Sequence, residues 1–343
     1  MSMNIKVFAR SCVLSVAVLV VPVSWAAPPN YPALYAFGDS LSDTGNDIVV
    51  TKALSMTPAI PPSESPHRTY YQGRFSNGPV AVEYLWRLLK GNNNAVVAPF
   101  MLTNTLGKKS AVNFAFGGSG TAEVFQTPGG FAVPGLLGQV KLFRTALQGK
   151  KADNQALYVL WSGANDYLFG GANEPTVIVA NITRAIEDLH ALGARNFLVP
   201  NLPDMGLAPL AQFQGAGPAL SQLTAAHNAV LAQSLDALST RLGKANIMRT
   251  DVNGITKTML STGAVAANPP ALALIAPDSG AVDCLFRNPM TCPDVNVTAA
   301  IPSLLFWDVL HPTTQVHGVL GRAMFQEVSR DRGPKGSRNG GAH

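Results

Sequence analysis

The sequence has little charge. Only 13% of its 343 residues are charged, whereas 47% are hydrophobic. This balance excludes a disordered chain and leaves ample apolar surface for a large core. The net charge of +5 resides at the two ends, because residues 1–26 carry +2 and residues 330–343 carry +3. A nucleic-acid-binding face needs clustered Lys and Arg on the folded body, so we expect no nucleic-acid partner.

No apolar run reaches the roughly 20 residues that a membrane-spanning helix needs. The apolar stretch at residues 11–23 follows Lys6 and Arg10 and precedes the small-x-small pattern Ser24–Ala26. This arrangement predicts a secretory signal peptide, residues 1–26, cleaved after Ala26. A membrane anchor is the alternative. We expect a secreted or periplasmic protein with one domain over residues 27–329 and a disordered tail over residues 330–343.

Cysteine is scarce, with three residues in the chain. Cys12 lies in the predicted signal peptide, which leaves Cys284 and Cys292 as an even pair. In an exported protein such a pair predicts a disulfide, which stabilises the fold by about 2–3 kcal/mol on the chain-entropy model. Two reduced thiols are the alternative. A zinc site is disfavoured because no histidine lies near the pair in sequence.

Short apolar runs alternate with longer amphipathic ones along the chain. The predicted strands are Ala33–Phe37, Ala111–Phe116, Leu157–Trp161, Asn196–Pro200 and Ala245–Thr250. The predicted helices are Pro79–Lys90, Leu136–Leu147, Thr176–Leu192, Pro218–Leu242 and Thr313–Val328. Strands that each precede a helix or a long crossover predict an α/β fold, with a mainly parallel five-stranded sheet between helices. Three stretches do not fit the alternation and are predicted as loops: Asp47–Tyr71, Pro203–Gly217 and Asn253–Pro302.

Function in parallel sheets gathers at the carboxyl ends of the strands. The first predicted strand leads into FGDSLSDTGN at Phe37–Asn46, so Ser40 can point its hydroxyl over this edge. The second leads into FGGSG at Phe116–Gly120, whose glycines expose backbone N–H groups. A flexible turn or a weak phosphate cradle are the alternatives for these glycines. The third leads into Asn165, whose amide can donate to an oxyanion or cap a turn.

Asp308 and His311 stand three residues apart, just before the last predicted helix. A carboxylate that accepts from one ring nitrogen leaves the other free to take a serine proton. A surface pair of no consequence is the alternative. A metal site with His317 is disfavoured, because the helix turns that residue elsewhere. We expect the other histidines, His67, His190, His227 and His343, to be structural or incidental.

These motifs together resemble the GDSL or SGNH hydrolase family, and GRFSNGP at Gly73–Pro79 adds to the likeness. The resemblance spans Phe37 to about Val328. Within the family, the sequence most resembles the branch of exported bacterial esterases and phospholipases. Ser119 departs from it, because alanine is expected after the glycine pair. The resemblance implies a three-layer, flavodoxin-like α/β/α sandwich.

The family also implies roles for individual residues. Ser40 is the nucleophile, His311 the general base and acid, and Asp308 the residue that orients His311. The oxyanion hole is formed by the N–H groups of Ser40 and Gly118, in preference to Gly117, and by the Asn165 side chain. Asp39 supports the turn.

The implied activity is hydrolysis of a carboxylic ester through an acyl-enzyme on Ser40, with no metal or cofactor. The substrate is a small-molecule or lipid ester, which implies transient contact with a lipid surface, and acyl transfer to an alcohol is a side reaction. A carbohydrate acetylesterase and a non-catalytic glycan-binding module remain as alternatives. The sequence does not indicate an oligomeric state.

Overall fold

The computed structural model describes residues 30–330, except residues 104, 108 and 278. The predicted signal peptide lies outside the described residues. Arg330, the first residue of the predicted tail, is the last residue of the final helix. The rest of the predicted tail also lies outside the described residues.

A parallel sheet forms the centre of the molecule. The strands of the described chain are β1 (Leu34–Gly38), β2 (Val97–Pro99), β3 (Ala111–Asn113), β4 (Val124–Gln126), β5 (Ala132–Pro134), β6 (Leu157–Trp161), β7 (Asn196–Pro200) and β8 (Asn246–Thr250). The main sheet has the order β2-β3-β1-β6-β7-β8, and every pairing in it is parallel. Strands β4 and β5 form a separate antiparallel hairpin.

The prediction of a mainly parallel sheet is confirmed, but the prediction of five strands is wrong because the sheet has six. The five predicted strands have the flavodoxin-like order 2-1-3-4-5. The additional strand, β2, pairs with β3 at the sheet edge. It has three residues and ends in Pro99, and a short strand with a proline suits the edge of a sheet. Its apolar run is too short to predict a strand from the sequence.

Helices cover both faces of the sheet. They are α1 (Asn46–Ala53), α2 (Ala81–Lys90), α3 (Phe100–Thr103), α4 (Leu136–Ala146), α5 (Ala164–Leu168), α6 (Pro175–Leu192), α7 (Pro209–Phe213), α8 (Gly217–Arg241), α9 (Val252–Ser261), α10 (Ala271–Ile275), α11 (Cys284–Arg287) and α12 (Thr314–Arg330). The five predicted helices correspond to α2, α4, α6, α8 and α12, and no end differs by more than two residues.

Alternate side chains of each strand enter different cores. Leu34 and Ala36 of β1 pack in a core with α2 and α12, whereas Tyr35 and Phe37 pack in another with α4, α6 and α8. Successive side chains of a strand point to opposite faces of the sheet, so both faces of β1 are buried. The predicted three-layer α/β/α sandwich is therefore confirmed.

All three predicted loops contain helices. Pro203–Gly217 holds α7 and ends at the first residue of α8. Asp47–Tyr71 begins within α1, whose sequence NDIVVTKA has no clear apolar face and precedes a cluster of prolines. Asn253–Pro302 begins within α9 and also holds α10 and α11. The predicted disulfide joins Cys284 at the start of α11 to Cys292. Among the helices of the described residues, none has both the length and the hydropathy that crossing a bilayer requires.

Candidate active site

Ser40 lies directly beyond the carboxyl end of β1. Gly38 is the last residue of that strand, with φ of 150°. A Cβ at Gly38 would lie 2.0 Å from the carbonyl oxygen of Trp161 on β6, so only glycine fits there. Asp39 accepts the N–H of Leu41 at 3.0 Å, which fixes the turn as predicted, and burial raises the pKa of Asp39 to about 7. The turn leaves Ser40 6% exposed at the sheet edge.

The structure brings Ser40, His311 and Asp308 into one hydrogen-bonded chain. Nε2 of His311 is 3.0 Å from Oγ of Ser40, and Nδ1 of His311 is 2.7 Å from Oδ2 of Asp308. Although burial opposes its ionisation, the charge of His311 and the hydrogen bonds from His311 and Tyr70 hold the pKa of Asp308 below its ordinary value. The arrangement suits transfer of the Ser40 proton to His311.

Three donors face the space beside Ser40. Within the described chain, no acceptor bonds the backbone N–H of Ser40 or of Gly118, whereas the N–H of Gly117 donates to Asp43 at 3.3 Å. The Asn165 amide uses one N–H to bond the Ser119 carbonyl at 2.9 Å, which leaves its second N–H available. Gly118 has φ of 68°, a conformation that glycine favours.

A polar clamp of Gln139, Ser119 and Gly38 holds this glycine loop against the serine turn. Oε1 of Gln139 accepts the N–H of Gly38 at 2.8 Å, and its Nε2 donates to the carbonyl of Gly38 at 2.8 Å. The hydroxyl of Ser119 donates to the same carbonyl at 2.8 Å. The serine at position 119, where the family resemblance implies alanine, thus adds a hydrogen bond between the two loops. Sequence patterns gave no signal for Gln139, because it acts from α4, about 100 residues away.

Asp166, next to Asn165, links α5 to the same loop. It accepts the N–H of Thr121 at 3.0 Å and the Thr121 hydroxyl at 2.9 Å, and burial raises its pKa. Asn181 of α6 donates to that hydroxyl at 3.1 Å. The Asn165 amide and the Gly118 N–H are therefore held relative to each other by several bonds.

The remaining described histidines lie away from Ser40. His317 accepts the N–H of Ala81 at 3.2 Å, and His227 bonds the hydroxyl of Tyr167 at 2.9 Å. Burial lowers the pKa of His227 to about 4, and burial together with His311 lowers that of His317 to about 3. His67 bonds the carbonyl of Cys292. Within residues 30–330, as far as they are described, no three His, Cys, Asp or Glu side chains are grouped as a metal site.

Tyr70 is a site residue that sequence reasoning missed. Its hydroxyl donates to Oδ2 of Asp308 at 2.6 Å, and the residue is fully buried. It stands in the segment predicted as a proline-dotted loop, 238 positions before Asp308. A contact over that distance leaves no periodic pattern in the sequence.

Two cavities meet at Ser40, Asn165, Leu310 and His311. The first spans about 730 Å³, including its opening to solvent, and its wall is almost entirely apolar, with Leu41, Trp161, Leu168, Met205, Leu207, Val252, Leu305, Phe306 and Leu320. The second spans about 450 Å³, also including its opening, and is lined by Asp47, Ile60, Phe75, Gly118, Thr127, Phe131, Phe169 and Phe286. The Phe286 ring lies 5.9 Å from the His311 ring, nearly parallel to it, and the Phe75 ring lies 5.2 Å from it.

Known proteins are similar in sequence to this chain over most of its length. A family model described as GDSL-like lipase/acylhydrolase matches residues 34–324. The phosphatidylcholine-sterol acyltransferase of Aeromonas hydrophila is 30% identical over 343 residues, with 90% of this chain and 93% of that protein covered. GDSL esterase/lipase At5g63170 of Arabidopsis thaliana is 28% identical over 367 residues, with 96% and 99% covered.

Solved structures also match this chain, at low sequence identity. One is a member of the lipolytic G-D-S-L family from Veillonella parvula, with a TM-score of 0.43 and 11% identity. The superposition covers 86% of this chain and 96% of that one.

Replacement of Ser40 by alanine tests the hydrogen-bonded chain. We expect Ser40→Ala to lose at least about 10⁴-fold in kcat toward a p-nitrophenyl ester while it keeps its melting temperature, because the hydroxyl bonds His311 at the site. Ser42→Ala is the matched control, since the buried Ser42 hydroxyl has no partner among the described residues. An active Ser40→Ala enzyme contradicts the assignment.

Asn165→Ala tests the oxyanion donors. We expect kcat to fall by about 10²–10³-fold, because one preorganised donor is lost, while KM changes little. Asn181→Ala removes a hydrogen bond to the same loop without a donor beside Ser40, so it should cost less than about threefold. Equal losses in the two variants mean that Asn165 acts through loop structure and not on the substrate.

Proposed function

The chain belongs to the GDSL-like lipase/acylhydrolase family, and on that premise we propose that it is a secreted serine hydrolase that cleaves esters of apolar acyl chains. The observation that carries the proposal is the chain Ser40–His311–Asp308 at the mouth of a large apolar cavity. Residues 1–26 and the disulfide support export, because disulfides persist in oxidising compartments.

In the proposed reaction, Oγ of Ser40 attacks the ester carbonyl carbon while Nε2 of His311 takes the hydroxyl proton. Asp308 stabilises the imidazolium that forms and stays ionised itself. The carbonyl oxygen becomes an oxyanion between the N–H of Ser40, the N–H of Gly118 and the Asn165 amide. Each such donor lowers the barrier by about 3 kcal/mol. His311 then gives its proton to the departing alcohol, which leaves an acyl-enzyme.

Water completes the cycle by attack on the acyl-enzyme, with His311 again as base. The oxyanion forms at the same donors, and collapse of the second intermediate releases the acid and returns the proton to Ser40. Each step of this cycle uses side chains and backbone groups of the chain, and no proton is left without an acceptor.

The larger cavity favours an apolar acyl group over acetate. Its lining side chains belong to the core on the α2 and α12 face of the sheet, so a bound chain replaces water with core-like contacts. Each buried methylene is worth about 0.8 kcal/mol, or up to about fourfold in kcat/KM. An acetyl group gains little from such a space, which makes the carbohydrate acetylesterase the weaker alternative.

Transfer of the acyl group to an alcohol is the second candidate activity. The smaller cavity also opens onto Ser40 and His311, so it offers room for an alcohol while the acyl chain occupies the larger one. The related Aeromonas protein is named as an acyltransferase. An added alcohol is then expected to yield a new ester in competition with hydrolysis, detectable by chromatography.

A series of p-nitrophenyl esters from acetate to palmitate tests the acyl preference. We expect kcat/KM to rise with chain length beyond acetate. Thr256 of α9 is buried and lines the larger cavity. Thr256→Phe should therefore fill part of that cavity and lower the ratio of long-chain to acetate activity by at least about tenfold, which corresponds to two or more methylenes.

Thr258→Phe is the matched control, because Thr258 is exposed on the same helix and lines none of the cavities described above. It should leave the ratio unchanged. If kcat/KM is highest for acetate and Thr256→Phe does not change this, the result supports an acetylesterase. If the folded protein turns over no ester, the result supports a binding module.

A further inference from the structure

The carboxylate of Asp308 is completely buried and accepts four hydrogen bonds. Oδ1 accepts the backbone N–H groups of Leu310 at 2.7 Å and His311 at 2.6 Å. Oδ2 accepts Nδ1–H of His311 at 2.7 Å and the hydroxyl of Tyr70 at 2.6 Å. Three of these donors come from the same short segment as Asp308, and Tyr70 is the donor that comes from elsewhere in the chain.

We propose that Tyr70 is a positioning residue that sets the strength of the Asp308–His311 hydrogen bond and thereby the basicity of His311 toward Ser40. The proposal rests on the proposed function, in which His311 is the general base. Tyr70 does not touch the reacting atoms, and its effect reaches them through Asp308.

The Tyr70 hydroxyl and the His311 ring share one oxygen atom. Two donors on one carboxylate oxygen divide its negative charge, so the Tyr70 hydroxyl weakens the hold of Asp308 on a protonated His311. The same hydroxyl opposes rotation of the carboxylate, which keeps Oδ2 directed at Nδ1. Burial and the charge of Asp308 raise the pKa of Tyr70 well above its ordinary value, so the hydroxyl remains a donor throughout the working pH range.

Few titratable groups face His311 from the elements around it. Asp308, Asp39 of the serine turn and His317 of α12 interact with it electrostatically. Asp47 and Asp204 line the two cavities that open onto His311. His317 is neutral, because burial and His311 lower its pKa to about 3. Asp39 has a pKa raised by burial to about 7 and titrates in the same range as a histidine. The Tyr70 hydroxyl bonds Asp308, and Tyr70 is not among the groups that shift the pKa of Asp39, so a change made at Tyr70 leaves the contribution of Asp39 in place.

The backbone around Tyr70 is held by the irregular segment that follows the disulfide. The hydroxyl of Thr69 donates to the carbonyl of Pro293 at 2.6 Å, and the N–H of Val295 donates to the carbonyl of Arg68 at 2.9 Å. The Trp307 indole donates to the carbonyl of Thr69 at 3.2 Å. Two segments predicted as loops, Asp47–Tyr71 and Asn253–Pro302, thus hold the backbone that carries the Tyr70 hydroxyl.

The test compares Tyr70→Phe with Tyr71→Phe. Both substitutions remove one phenolic hydroxyl from adjacent residues, but the hydrogen bonds described for the side chains of Asp308 and His311 include Tyr70 and not Tyr71. We measure kcat and KM for p-nitrophenyl butyrate over the range in which histidine titrates, about pH 5 to 8. For Tyr70→Phe we expect kcat to fall roughly 3- to 20-fold, with KM within about twofold.

The pH profile separates positioning from a purely structural role. In Tyr70→Phe, Asp308 holds protonated His311 more strongly, so the acid limb of kcat/KM should move to higher pH by about half a unit. Tyr71→Phe should keep the wild-type limb. An unmoved limb in Tyr70→Phe, or an equal movement in Tyr71→Phe, overturns the proposal even if the melting temperature falls.

Wild-type chain grown with 3-fluorotyrosine keeps the proposal testable if Tyr70→Phe does not fold. The fluorinated phenol is a stronger donor, so the acid limb should move to lower pH, and no movement overturns the proposal.

If wild-type protein hydrolyses no ester, the proposed function fails. The downfield proton resonance of His311 Nδ1–H then tests the role of Tyr70 without any measurement of activity. Tyr70→Phe should shift this resonance, and Tyr71→Phe should not.

Discussion

The buried charge of Asp308 is the constraint on which the site depends. An ionised carboxylate without exposure costs several kcal/mol unless donors surround it. The donors come from three places: the turn that carries His311, the imidazole itself, and Tyr70. The segment before α2, which carries Tyr70, and the turn before α12, which carries His311, must therefore meet beside the end of the sheet. This need explains why such irregular chain is held by many specific backbone contacts.

The central part of the fold could be predicted because each strand has a local cause. Leu34–Gly38 and Leu157–Trp161 are buried on both faces, so they appear in the sequence as short continuous apolar runs. Parallel pairing of these runs brings their carboxyl ends together, and the motif residues follow directly after them. Ser40, Gly118 and Asn165 could be proposed as site residues from the sequence for this reason: each lies a few residues beyond a strand end.

The parts that could not be predicted depend on distant contacts. Strand β2 is three residues long and is defined by its pairing with β3, and α1 has no clear apolar face. Tyr70 and Gln139 look like ordinary loop and helix residues, because their partners are 238 and 101 positions away. In sequence, polar residues that act through a partner cannot be distinguished from those that face solvent. The structure distinguishes the two kinds of residue, because it shows both how buried each side chain is and which group it bonds.

The apolar surroundings strengthen the polar contacts that the proposed reaction uses. Phe75 and Phe286 lie against the His311 ring, and both cavities are lined mainly by hydrocarbon. Hydrogen bonds in such a low-dielectric space are stronger than in water, provided that the donors do not have to reorganise. The polar clamp and the Asp166–Thr121 contact supply that rigidity, because they tie the loops that carry the proposed oxyanion donors to a second loop or helix. Flexible donors in the same cavity would instead spend part of that interaction energy on their own ordering.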